Sequence, residues 1–132
     1  MHRGSCLCGK VRYEVDGELT DVSHCHCTMC RKAHGAAYGS YGNVRREQFR
    51  FVAGESGVAR YRSSAGVLRT FCAECGATLQ WLRVDPQSPW VSFTLGTLDT
   101  RYAPEPDARP RHIFVGSRAD WVEVAPHWDV RE

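Results

Sequence analysis

Cys25-His26-Cys27-Thr28-Met29-Cys30 is the stretch from which the fold of this chain can be read, because it places three thiols within six residues. Three thiols so close cannot all pair as disulfides. A C-x-x-C turn does bring two sulfurs together on one ion. Two further clusters accompany it, Cys6-Leu7-Cys8 upstream and Cys72-Ala73-Glu74-Cys75 downstream. The three clusters use all seven cysteines of the chain.

Seven thiols divide naturally into a closed site of four and an open site of three. Structural zinc takes four protein ligands, whereas catalytic zinc takes three and keeps one position free. Two pairs complete a tetrahedron, which groups Cys6 and Cys8 with Cys72 and Cys75. Cys25, Cys27 and Cys30 then form the open site. The competing arrangement closes this second site with a histidine, for which His24, His26, His34 and His112 are the candidates.

Bulk composition narrows the remaining classes. The 132 residues are 42% hydrophobic and 24% charged, as expected of a single globular domain spanning 1–132 with a modest core. Zinc would add to that core, since binding energy becomes folding energy when the site exists only in the folded state. The net charge is +2 and the longest basic run, as at Arg45-Arg46, is two residues. No stripe of basic and aromatic residues points to nucleic acid, and scattered arginines read as solvated surface. No apolar stretch is long enough to span a membrane, and Met1 to Ser5 has no apolar core of a signal peptide. Clustered, odd-numbered thiols without an export signal lead to an expected reducing, cytoplasmic setting.

Periodicity points to strands. Val11, Tyr13 and Val15 alternate with polar residues, and Cys6 and Cys8 extend the same period, which predicts a strand carrying both sulfurs on one face. Residues 31–35 allow at most one helical turn, ended by Gly35. Strand resumes over 36–44, where Gly39 and Gly42 mark a bulge or a close approach to the backbone. Two short strands follow around Gly54 to Gly57. A hairpin from Val67 to Val84 carries the Cys72–Cys75 turn at its tip, with Gly76 supplying the tight bend. Trp90 to Leu95 is a further strand, residues 101–111 are an irregular connection, and His112 to Val115 closes the sheet. Ala119 to Trp121 reads as a terminal turn. The expected class is all-β, mainly antiparallel, stapled by metal.

Placed in order, these clusters resemble the glutathione-dependent formaldehyde-activating enzyme family. The matching stretches are Gly4 to Val11, Cys25 to Arg31 and Phe71 to Gly76, with His112-Ile113 and Trp121 near the C-terminal end. The resemblance implies the β-tent, or Mss4-like, fold. It also implies a structural zinc on Cys6, Cys8, Cys72 and Cys75, and a catalytic zinc on Cys25, Cys27 and Cys30. The activity it implies is a carbon–sulfur lyase that joins formaldehyde to glutathione. No glutathione-binding motif transfers residue by residue.

The chemistry of the open site agrees with a thiol partner. Three thiolates on one Zn²⁺ leave a formal charge of −1, so the ion acidifies water poorly and suits exchange with another sulfur. Proximity and thiolate formation would then supply the rate. His26, between two ligands, is the first candidate for a supporting catalytic role, with His24 as a second. Arg31 and Lys32 could offset the negative site. Two rivals remain: a redox enzyme similar to methionine sulfoxide reductase B, which needs a lone cysteine that this chain lacks, and a non-catalytic zinc-stapled binding module of the same fold.

Overall fold

The computed structural model describes residues 1–132. Eleven strands and one helix follow the chain as β1 (His2–Ser5), β2 (Arg12–Val15), β3 (Val22–Cys25), α1 (Thr28–His34), β4 (Gly39–Arg45), β5 (Phe49–Ala53), β6 (Val58–Ser64), β7 (Val67–Cys72), β8 (Thr78–Arg83), β9 (Trp90–Thr94), β10 (Arg111–Ile113) and β11 (Asp129–Val130). An eight-stranded sheet runs in the order β11-β10-β3-β4-β9-β8-β7-β6, and a three-stranded sheet in the order β1-β2-β5. Every pairing is antiparallel except those of β10 with β3 and with β11. The class is therefore all-β and mainly antiparallel, as the periodicity predicts.

Alternation places the core. Tyr13 and Val15 of β2 meet Val44, Val91 and Phe93 from the large sheet in one buried cluster. Two aromatic rings lie over glycines on paired strands: Tyr13 over Gly4, and Phe93 over Gly42. Each glycine lacks the side chain that would keep the ring away, so the close approach expected at Gly42 is an aromatic packing site.

Several local expectations are corrected. Cys6 and Cys8 lie not on a strand but in a turn between β1 and β2, closed by Gly9 N–H donating to Cys6 O at 3.0 Å. Gly9 takes φ 81°, a value that ends the alternation on which the strand reading rested. The helix is twice the expected length and begins inside the cysteine run, because the Cys27 sulfur accepts from Cys30 N–H and acts as N-cap. Gly35, with φ 57°, ends it as expected. Residues 36–38 are not strand, and β4 starts at Gly39. β1 and β11 were not expected. The strand expected over His112 to Val115 is β10, which stops at Ile113, since Phe114 turns into the left-handed region with φ 54°.

Candidate metal centres and the cavity beside them

Two turns of matching design bring the first cluster together. In one, Cys6 N–H donates to Val11 O and Gly9 closes back on Cys6 O; in the other, Cys72 N–H donates to Ala77 O and Gly76 closes back on Cys72 O. The four sulfurs of Cys6, Cys8, Cys72 and Cys75 lie within 4.8 Å of one another. Cys6 and Cys8 sulfurs are 3.5 Å apart, and Cys8 and Cys72 sulfurs 3.8 Å. A tetrahedron with Zn–S bonds of about 2.3 Å has edges of about 3.8 Å, so the donor set suits a closed four-thiolate site. Val11 N–H donates to the Cys6 sulfur at 3.3 Å, and the backbone N–H of Ala77 leads the contacts that lower the Cys75 thiol to about 6. The cluster ties the small sheet to the β7–β8 hairpin, elements 64 residues apart in sequence at the Cys8–Cys72 contact.

The second cluster is built by a strand end and a helix start. Cys25 ends β3, Cys27 caps α1 and Cys30 lies in its first turn, with all three sulfurs within 4.8 Å. No histidine nitrogen joins them. Alternation along the extended segment explains this. Cys25 and Cys27 face one side, whereas His24 and His26 face the other. There His26 Nε2 pairs with His112 Nδ1 at 2.8 Å, and His112 stacks on Trp128 at 3.5 Å between centroids. His24 bonds Ser40 and stacks on His112. His26 thus lies in a buried aromatic layer behind the sulfurs, and it does not line the cavity in front of them.

That cavity has a volume of about 530 Å³, and Cys25, Cys27 and Cys30 form part of its wall. Val67, Trp81 and Ile113 supply an apolar wall. Ser23, Asn43 and Ser92 supply a polar one, linked by Asn43 Nδ2 donating to Ser23 Oγ at 3.1 Å and Ser92 Oγ donating to Asn43 Oδ1 at 2.6 Å. Met29 and Phe114 line the cavity and are half exposed. Phe114 holds a left-handed backbone that costs a non-glycine residue on the order of 1 kcal/mol, a feature typical of functional rims.

Two residues that sequence reasoning missed, Arg69 and Tyr41, meet the Cys30 sulfur. Arg69 Nη1 and Nη2 each lie 3.7 Å from the Cys30 sulfur, and Nη1 also donates to the Tyr41 hydroxyl at 3.2 Å. The Tyr41 oxygen is 3.5 Å from the Cys30 sulfur and 2.9 Å from His34 Nε2. Cys30 is held to about 4, first by its contact with Cys25 and then by Tyr41, Cys27 and Arg69, against the opposing effect of burial. The Cys25 thiol is pushed up, by Cys30 first and burial second. One sequence signal existed: Arg69 shares a strand face with buried Val67, where a solvated arginine would not be. Arg31 and Lys32, which the sequence allows as charge partners or as a solvated pair, make no side-chain contact with the sulfur cluster; Arg31 donates to Ser117 O.

Comparison with known proteins agrees with this geometry. The model of the glutathione-dependent formaldehyde-activating enzyme family matches residues 1–117. The chain belongs to this family. A Halomonas elongata protein provisionally named a glutathione-dependent formaldehyde-activating enzyme is 30% identical over 129 residues, covering 92% of this chain and 79% of its own. An uncharacterized lyase of Schizosaccharomyces pombe is 27% identical over 89 residues, 67% of this chain and 63% of its own. A crystal structure of a Rhodobacter sphaeroides protein superposes with a TM-score of 0.61 at 23% identity, covering 76% of this chain and 90% of that one. At that identity it shows the shared Mss4-like fold.

Proposed function

We propose that this chain is a zinc-dependent enzyme of the carbon–sulfur lyase type, joining a small aldehyde such as formaldehyde to a thiol such as glutathione. The observation that carries the reading is the three-sulfur cluster set in the wall of a cavity large enough for a small-molecule ligand. Cys25, Cys27 and Cys30 would hold the catalytic ion, and Cys6, Cys8, Cys72 and Cys75 a structural one, giving two per chain in one domain working in a reducing cytoplasm. The names borne by the Halomonas and fission-yeast relatives, and the family match, support the reaction class.

When bound, the zinc supplies a soft, sulfur-rich Lewis acid that eases loss of the proton from an entering thiol. The cavity walls do the rest. Val67, Trp81 and Ile113 exclude water, and the Ser23–Asn43–Ser92 chain offers hydrogen bonds to a polar substituent. Arg69 and Tyr41 present donors at the sulfur edge. In the reaction the thiol sulfur forms a bond to the carbonyl carbon, the C=O π bond breaks, and the thiol proton ends on the new hydroxyl oxygen. No oxidant or reductant is consumed. His26 supports the centre from behind, through its bond to His112.

Cobalt substitution tests this reading. Glutathione added to the Co²⁺ protein should strengthen the sulfur-to-metal charge-transfer band. Formaldehyde should then exchange with its hemithioacetal faster than in protein-free solution, as read by NMR exchange spectroscopy. A spectrum unmoved by glutathione together with background exchange would overturn it and leave the non-catalytic binding module.

A further inference from the structure

Arg69 is a buried cation, only 7% exposed, and no carboxylate of the chain pairs with it. A guanidinium cannot shed its proton, so its burial demands a negative partner. Its neighbours are Ser63 Oγ at 3.1 Å from Nε, the Tyr41 hydroxyl, and the Cys30 sulfur. At neutral pH only the sulfur belongs to a group that carries full negative charge, since a phenol ionises only near pH 10. The four-cysteine cluster has no such cation: its nearest ion pair, Lys10 with Glu74, is exposed and internally balanced.

We propose that Arg69 is the fixed counter-ion of the three-cysteine centre, and that it biases the open position of that centre towards an anionic ligand. The inference rests on the proposed metal occupancy and sharpens it. Three thiolates and one divalent ion sum to −1, and the guanidinium brings the centre to zero. An anionic fourth ligand then leaves −1 rather than −2. Tyr41 and His34 brace the guanidinium in place, since Tyr41 OH touches both Arg69 and His34. Arg69 is a positioning residue by this account, acting on the charge of the centre.

The substitution Arg69→Gln removes the charge and keeps hydrogen-bonding capacity; Arg69→Lys keeps the charge and loses the fork. In Co²⁺-loaded protein, thiocyanate serves as the anionic probe and imidazole as the neutral one, each titrated by its effect on the visible spectrum. The wild type should favour thiocyanate over imidazole. Arg69→Gln should reduce that preference about tenfold or more, a modest share of a full charge at this distance, whereas Arg69→Lys should retain most of it. An unchanged preference in Arg69→Gln, or a wild type that binds neither probe, overturns the proposal.

A second measurement covers the case in which Arg69→Gln folds poorly. Melting temperatures of wild type, Arg69→Gln, Cys30→Ser and the double variant form a cycle. Loss of the Cys30 thiolate leaves Arg69 without its anion, so Arg69→Gln should cost less, or become stabilising, in the Cys30→Ser background. An equal cost in both backgrounds would mean that Arg69 serves only Ser63 and Tyr41, and the counter-ion role would fall. A wild type that takes thiocyanate but ignores glutathione would sink the thiol reaction while leaving Arg69 in this role.

Discussion

Gly42→Ala offers a quantitative check on the core that supports the site. A Cβ at Gly42 would meet Phe93 ring carbons at 2.5 and 2.6 Å and Leu19 Cδ1 at 3.0 Å. Ordinary contact is 3.4–4 Å, so the ring must retreat by nearly 1 Å. Phe93 has no room for this: it is 0% exposed and packs on Tyr13 and Phe49 at 5.7 and 6.1 Å between centroids. Overpacking a filled core costs roughly 1–3 kcal/mol. The stiffer unfolded chain returns about 0.4–1 kcal/mol. The net loss is about 1–2 kcal/mol. For 132 residues the unfolding entropy is about 0.28 kcal/mol per degree, which converts the loss to about 4–7 °C in melting temperature. Calorimetry of metal-loaded protein measures it. Gly57→Ala is the control, because nothing lies within 4 Å of its Cβ; its melting point should move by less than about 2 °C. Gly42→Ala melting as high as wild type would refute the argument that the Phe93 ring occupies the space above this glycine.

Three further outcomes are expected. Gly39→Ala would push on His34 Nε2 at 2.7 Å and Tyr41 Cε2 at 3.0 Å. It should weaken Co²⁺ binding at the three-cysteine centre about tenfold, with a smaller stability loss than Gly42→Ala because the His34 ring can swing; unchanged cobalt titrations would contradict it. Cys72→Ser should unfold or aggregate the chain by releasing the small sheet from the β7–β8 hairpin. Cys27→Ser should stay folded with one zinc by native mass spectrometry, and equal thermal loss in both would argue that both centres are structural. His112 is lowered to about 4, by burial first and then by the charges of His24, His26 and His127. The unfolded chain, near 6.5, therefore takes up a proton that the native state refuses. This contribution is intact above pH 6.5 and is lost as pH falls towards 4, by at most about 3 kcal/mol. Between pH 7 and 5 the melting temperature of His112→Asn should fall less steeply than that of wild type; parallel slopes would exclude His112 as the source.

The cysteine grouping was legible in the sequence because ligand spacing is local. A thiol two or three residues from another can share an ion with it through one turn, and four plus three follows from counting. Strand alternation at Val11 to Val15, the Val67–Val84 hairpin and the Gly35 helix stop are equally local, and each lies where it was expected. The limits of local reasoning appear at Cys6 and Cys8. There a period of two suggested a strand, but Gly9 in a left-handed conformation folds the pair into a turn. A lone glycine in an alternating run does not announce its φ.

Only the tertiary structure decided what surrounds the second centre. His26 sits between two of its cysteines in sequence, yet the pleat sends its ring to the opposite face, onto His112, 86 residues away. Arg69 looked like one more surface arginine among fifteen, and pairing of β7 within the large sheet brought it to the Cys30 sulfur, 39 residues distant. Chain spacing governs which thiols converge on a metal, because turns close over a few residues. Charge balance and access to the metal depend on which distant strands the sheet places side by side, and hydrophobic burial sets that order.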